Sequence, residues 1–338
     1  MTTAYRNAAP HWLTDAHEMP VNPGENPPAL WSENYLMYVW SPANAVGIYW
    51  HLCRTLGEIP IWNEQLVVAL PGGRYLASKG QSRGEVRPAS LSVVGLQVSV
   101  NIPFRRLNVS FRGGARLLSR DEFHSCPVQD GAHVPVDINL GFDSMSPPFD
   151  LGSGHLDQAW AVGHFEQHGR IVGSLRFGDE AYPIDGTGLR DHSWGARDYK
   201  NIGSTNWLHA QFPNSGRSLM AVLVSGIAPK PELRYAITSD GETIQPVQVE
   251  GLAPAMTLEE TLRGYELNLV DASGKASCIR AEILDASRAA LVGPSEISLG
   301  TYTKAQANHH YIDAFTRFDW DGETGYGVTE RTVDLTKG

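Results

Sequence analysis

The densest grouping of chemically versatile side chains runs from Gly186 to Asp198 and reads GTGLRDHSWGARD. Between residues 190 and 198 it holds Arg190, Asp191, His192, Trp194, Arg197 and Asp198, with glycines on either side. A carboxylic acid can deliver a proton near neutral pH if burial or a second carboxylate raises its pKa. An imidazole can take one up, and an indole face attracts a developing cation. The competing reading is a charged surface loop whose acids and bases pair in solvent at little energetic gain.

Two further segments carry such groups in alternation. In Trp207 to Phe212 (WLHAQF), an extended chain puts Trp207, His209 and Gln211 on one face and Leu208, Ala210 and Phe212 on the other. The second face reads as core, and the first as the aromatic and polar lining of a ligand cavity. In His164 to His168 (HFEQH), His164, Glu166 and His168 share a face opposite Phe165. These are zinc or iron ligand types, but three ligands spaced by two along one strand diverge, so hydrogen bonding inside a cavity is the preferred role and no metal is expected. Glu64, at a strand start in WNEQ, faces either the same cavity or water.

No Gly-rich phosphate loop, Gly-x-Ser-x-Gly, His-Glu-x-x-His or Cys-x-x-Cys is present, so hydride transfer, kinase and serine-hydrolase chemistry lack their usual parts. A net charge of −10 argues against a nucleic-acid partner. Three scattered cysteines, Cys53, Cys126 and Cys278, point to free thiols in a reducing compartment. No signal peptide is read at the start, and no stretch approaches the ~20 apolar residues of a membrane span. The expectation is a soluble, cytoplasmic protein that needs no cofactor and whose partner is an apolar small molecule.

The elements that must position these groups are short alternating runs. Tyr35 to Trp40, Gly47 to Cys53 and Gln65 to Leu70 are rich in aromatic and β-branched residues, and Pro71-Gly72-Gly73 marks a hairpin turn. Similar runs follow to Tyr326–Arg331, with at most a turn or two of helix at Ser32–Met37 and Asp157–Val162. His164 to Phe177 reads as a hairpin with Gly169 and Gly173 near its turn, or as one long bent strand. The fold class is therefore all-β, sandwiches or barrels. The Pro-, Gly- and Ser-rich stretch 144–154 suggests a boundary between an N-terminal domain, 1–155, and a C-terminal domain, 156–338, carrying the Asp-His-Ser-Trp-Gly motif.

The string Gly188 to Asp198 resembles the signature of a bacterial and fungal superfamily that includes carotenoid hydratases (hydroxyneurosporene synthases), kievitone hydratase and AttH-like proteins. His51–Arg54, Trp62–Glu64, Leu70–Gly73, His133–Pro135, His164–Gln167 and Trp207–His209 match as well. The resemblance implies two lipocalin-like (calycin) antiparallel β-barrels. It also implies addition of water to, or its removal from, an isoprenoid-like alkene.

Such chemistry requires a protonated acid, a dry aromatic site for a tertiary cation and a base that orients water. Asp191 and Asp198 are the candidate acids, with Asp191 preferred. An adjacent Arg190 would hold Asp191 ionised unless it points elsewhere or pairs with Asp198. His192 or His209 is the candidate base. Trp194 and Trp207 are candidate cation stabilisers, and Arg197 would hold the loop through a carboxylate. His164, Glu166, Gln211 and Glu64 are expected to line the substrate site, with Asp191, His192, Trp207 and His209 meeting around one cavity. A non-catalytic binder of an apolar metabolite, an isomerase or cyclase, and a metal enzyme using His164, Glu166 and His168 are the rival readings.

Overall fold

The computed structural model describes residues 12–56, 59–125, 130–150, 162–196, 204–225, 232–252, 255, 257–291, 297–299 and 309–334. Of these, 70% are strand and 5% helix, well under the roughly 30% helix of average globular proteins. The chain divides into two compact units, residues 1–197 and 198–338. Among the described residues no helix is long and apolar enough to cross a membrane.

The first unit contains β1 (Trp31–Ser41), β2 (Val46–Thr55), β3 (Ile61–Leu70), β4 (Arg74–Arg83), β5 (Glu85–Arg87), β6 (Ser90–Val93), β7 (Leu96–Ile102), β8 (Arg106–Ser119), β9 (Ala132–Ser144), β10 (Phe149–Asp150), β11 (Gly163–Phe177) and β12 (Glu180–Ala196). Neighbours pair in the order β11-β12-β1-β2-β3-β4-β8, and β9 joins β8 to β11, which closes a barrel. Closure hides the backbone edges that an open sheet would expose. The turn expected at Pro71-Gly72-Gly73 joins β3 to β4; Gly72 and Gly73 have φ of 78° and 72°, which only glycine adopts without strain.

The boundary lies later than the Pro- and Gly-rich stretch suggested. β11 and β12, expected in the C-terminal domain, pair with β9 and β1 and complete the first barrel. The motif is not a loop but the end of β12, paired on both sides. Ser32–Met37 is strand, not helix, and residues 157–161 fall outside the described residues. β11 is the long-strand alternative: it runs unbroken to a turn at Gly178-Asp179, so that Phe177 pairs Glu180.

The barrel interior is apolar, with Met37, Trp50, Leu52, Trp62, Leu66, Phe111, Phe142 and Ile171 among its buried residues. One end is closed by the segment from Trp12 to Val21, which packs with Trp31, Phe165 and Trp194. Polar groups on the inward face meet this plug. Arg190 donates to Glu18 Oε2 at 2.5 Å and Oε1 at 2.8 Å, and to Gln167 Oε1 at 3.0 and 2.7 Å. Arg54 and His192 both bond Glu33, at 2.7 and 2.9 Å. His192 also lies 2.7 Å from the His17 carbonyl, while its ring stacks on Tyr35. Each ion is thus desolvated but matched, and removing one partner strands the other.

The second unit contains β13 (Thr205–Phe212), β14 (Arg217–Ser225), β15 (Glu232–Ser239), β16 (Ile244–Pro246), β17 (Gln248–Glu250), β18 (Tyr265–Val270), β19 (Ala276–Leu291), β20 (Ile297–Leu299), β21 (His309–Trp320) and β22 (Glu323–Asp334). They pair as β16-β15-β14-β13-β22-β21-β19-β18-β17. The chain crosses from β16 directly into β17, and Val247 N–H donates to the Ala236 carbonyl of β15, so this barrel nearly closes. Leu208, Ala210, Phe212, Leu267, Ile279 and Phe318 form its core.

Because Glu18 is the only carboxylate ion-paired with buried Arg190 among the described residues, Glu18→Gln is expected to cost about 3–5 kcal/mol in urea unfolding. Glu85→Gln, which breaks an exposed pair with Arg87, should cost under about 1 kcal/mol. Similar losses in the two variants would contradict the assigned role of the plug.

Candidate active site

Consecutive residues of a strand point to opposite faces, and cross-strand partners share one. In β12, Arg190, His192 and Trp194 point into the barrel, so Asp191 and Ser193 point out. The β11–β12 register sets Glu166 opposite Asp191 and His164 opposite Ser193. The outward face of the first barrel therefore gathers His164, Glu166, Asp191 and Ser193.

The gathering is tight and buried. His164 Nε2 bonds Asp191 Oδ2 through a short contact and lies 3.2 Å from Glu166 Oε1. Ser193 Oγ donates to Asp191 Oδ1 at 3.1 Å. Glu166 is 0% exposed, and the side chains of His164 and Asp191 are each 9% exposed. Burial opposes charge on His164, but the Asp191 and Glu166 carboxylates outweigh it and push the imidazole up to about 9. At neutral pH an imidazolium is thus held with both carboxylates at its Nε2, while Nδ1 is buried with no acceptor among the described residues. The same three side chains place one ligand atom each within 4.8 Å of the others, a donor set that a cation could also use.

The surrounding outward face is aromatic. Phe149 of β10 pairs with Glu166 and its ring lies 5.3 Å from His168. Tyr38 and Tyr49 pack at 5.0 Å, two and three strands along from β11. Tyr38, Tyr49, His51 and Gln65 are all buried although they do not point into the barrel core.

Three expected site residues of the first unit, His192, Trp194 and Glu64, fall elsewhere in that unit. His192 and Trp194, expected as base and cation stabiliser, belong to the inward plug, where Trp194 stacks on His17 at 5.4 Å. His192 is adjacent to Asp191 in sequence but on the opposite face, so the two do not address one reacting group. Arg190 also points inward and takes Glu18, which removes the objection that it would hold Asp191 ionised.

Glu64 is buried in the first barrel with Oε2 accepting from Gly95 N–H at 3.3 Å and Oε1 without a partner. Burial pushes its carboxyl up to about 7 against the Gly95 and Leu96 N–H groups. Trp207, His209 and Gln211 lie in the second unit, facing away from its core; His209 and Gln211 are buried, and Trp207 meets His209 edge-on at 4.4 Å. The face that reads as core, with Leu208 and Ala210, is the one inside that barrel. Arg197 and Asp198 lie outside the described residues.

Sequence reasoning missed Ser193 and the plug residues Glu18 and Glu33. Ser193 could have been found from the Gly178-Asp179 turn, which fixes the register that brings it to His164. Nothing local marks Glu18 or Glu33.

Fold and site together define a two-barrel, calycin-type protein with a buried carboxylate–imidazole group on the first barrel. The chain belongs to the family described as a domain of unknown function, DUF7064, which matches residues 14–333. Its fold is that of several solved structures. A protein described as AttH from Nitrosomonas europaea superposes with a TM-score of 0.60 at 14% identity, covering 92% of this chain and 98% of its own. Kievitone hydratase from Nectria haematococca gives 0.56 at 13% identity, covering 94% of each chain. CghA with Sch210972 gives 0.53 at 12% identity, covering 91% of this chain and 89% of its own. No curated protein matches the sequence.

Two titrations follow from these environments. His164 and Glu64 both bind their protons more tightly in the folded state than in the unfolded chain, so each contributes stability at low pH that is lost as pH rises. For Glu64 the loss spans about pH 4.5 to 7, and for His164 about pH 6.5 to 9. The slope for one proton reaches about 1.4 kcal/mol per pH unit. In urea unfolding at a series of pH values, Glu64→Gln should flatten the lower window, and Asp191→Asn should draw the upper limit below 9. Slopes unchanged in both variants would contradict the two environments.

Proposed function

We propose that this protein is a hydro-lyase that adds water to, or removes it from, an alkene of an apolar substrate, an isoprenoid or prenylated compound, without a cofactor. The observation that carries the reading is the buried imidazole whose Nε2 meets two carboxylates on a face lined with aromatic rings. Glu166, wholly enclosed, balances the His164 imidazolium. Asp191, at the edge of the group, takes the His164 proton and delivers it to substrate.

In the hydration direction the His164 imidazolium passes its Nε2 proton to Asp191, which gives it to one alkene carbon, and the π pair makes the new C–H bond. Water oxygen adds to the cationic carbon, and the surplus proton returns to the Asp191–His164–Glu166 group. Dehydration is the reverse. A carboxyl able to protonate an alkene must have little solvent around it, and the carbocation gains from ring faces such as Phe149, Tyr38 and Tyr49. The fold shared with kievitone hydratase supports a reaction of this class, and an isomerase or cyclase on the same fold is the alternative.

Asp191→Asn keeps the shape and removes the acid. Turnover of a prenylated alkene is expected to fall by roughly 10²–10⁴-fold while binding persists. In ¹⁸O-labelled water, hydration should place the label in the product alcohol. Turnover without label would favour the isomerase or cyclase reading, and binding without turnover in either protein the non-catalytic binder. Full activity in Asp191→Asn would remove Asp191 as the acid. The ligand geometry favours one second reading, a divalent cation held by His164, Glu166 and Asp191. Stoichiometric metal in the purified protein, with activity abolished by a chelator and restored by that metal, would replace the acid mechanism.

A further inference from the structure

The interior of the second barrel carries a cationic row that the reading above does not use. Cross-strand register aligns Asn206 of β13, Arg331 of β22, Ile312 of β21 and Arg288 of β19. Leu208, two residues from Asn206, is core, so this row points inward. Arg331 is 4% exposed, lies 4.8 Å over the Tyr265 ring and donates from Nη1 to the Glu260 carbonyl at 2.7 Å. Its Nε–H is buried with no acceptor, and the Asn206 side-chain oxygen beside it is also unpartnered. Arg288 is half-buried and donates from Nε to His310 Nδ1 at 3.2 Å. Among the described residues neither arginine has a carboxylate at ion-pair distance.

A buried guanidinium with no carboxylate at ion-pair distance carries a large desolvation cost, which the Glu260 carboxylate and Tyr265 offset only in part at Arg331, and its unsatisfied N–H adds to it. Burial accordingly pulls both arginines below their ordinary range. The next inward row shows what else the barrel could take. Ala236, Ala221, Leu208, Thr329, Ala314 and Ala286 follow one another across six strands. Four of the six are alanine, so short side chains line the wall next to the cations. Phe212, Phe318 and Trp320 fill the same interior further along, and Tyr265 bonds Thr329 Oγ1 at 2.6 Å, so the short side chains are confined to the rows beside the cations.

We propose that the second barrel binds an amphipathic anion, with an oxyanion head between Arg331 and Arg288 and an apolar body along the alanine row. A carboxylate is the head we favour, because it accepts two guanidinium N–H groups side by side and one unit of charge suits an otherwise apolar wall. This site uses no residue of the Asp191 group, so either assignment can fail alone.

The test is calorimetric titration of the full chain with dodecanoate, dodecanol and dodecyl phosphate, each below its micelle concentration. Wild-type protein should bind dodecanoate at least about tenfold more tightly than dodecanol, a comparison that needs no variant. Arg331→Gln and Arg288→Gln, each checked for folding by circular dichroism, should lose that preference while binding dodecanol as before. Tighter binding of dodecyl phosphate, lost in the same variants, would keep the anion site and assign a phosphate head. No binding of dodecanoate or dodecyl phosphate, equal binding of the alcohol and the anions, or a preference that survives in a folded variant would overturn the proposal.

Discussion

A strand cannot turn two consecutive side chains to the same side, and the organisation of the first barrel rests on that constraint in β12. The segment from Leu189 to Trp194 is central, with β1 on one flank and β11 on the other. Its even-numbered residues enter the barrel, where they need counter-ions and aromatic packing. Its odd-numbered residues face outward, beside whatever β11 presents in register. Arg190 and His192 thus stabilise the end of the barrel through Glu18 and Glu33, while Asp191 meets His164 and Glu166. The two networks are back to back on one backbone.

This arrangement couples rigidity to chemistry. The inward ion pairs hold β12 in place through a plug that begins more than 170 residues earlier in the chain. A register slip of one residue would send Asp191 inward and Arg190 outward, leaving several buried charges unmatched. The position of the outward carboxylate is therefore fixed by contacts on the opposite side of the sheet. The close approach at Gly188 contributes in the same way, because a Cβ there would strike Ile171 and the Tyr38 carbonyl, tying β12 closely to β11 and β1.

Much of the fold was legible because it depends on local signals. Alternation marked the strands, and the Pro71-Gly72-Gly73 turn marked one hairpin. The domain boundary was not legible in the same way. Residues 144–154 interrupt both periodicities and read as a linker, yet β12 returns to pair with β1, a contact between segments about 150 residues apart. The candidate site was half legible. Asp191, His164 and Glu166 stood out by type, but Asp191 and His192 were grouped by adjacency, which is the wrong rule once the segment is a strand. Arg331 and Arg288 gave no local signal at all, since only the register across β21 brings them into one row.

The central claim is that His164 is held as an imidazolium by Asp191 and Glu166, which both meet its Nε2. The most direct measurement is an ¹⁵N NMR titration of histidine-labelled protein, with the His164 resonances assigned by their loss in His164→Asn. The account predicts that both ring nitrogens of His164 remain protonated through pH 8 and that the proton leaves near pH 9. A His164 ring that is neutral at pH 7, with one nitrogen already deprotonated, would contradict it.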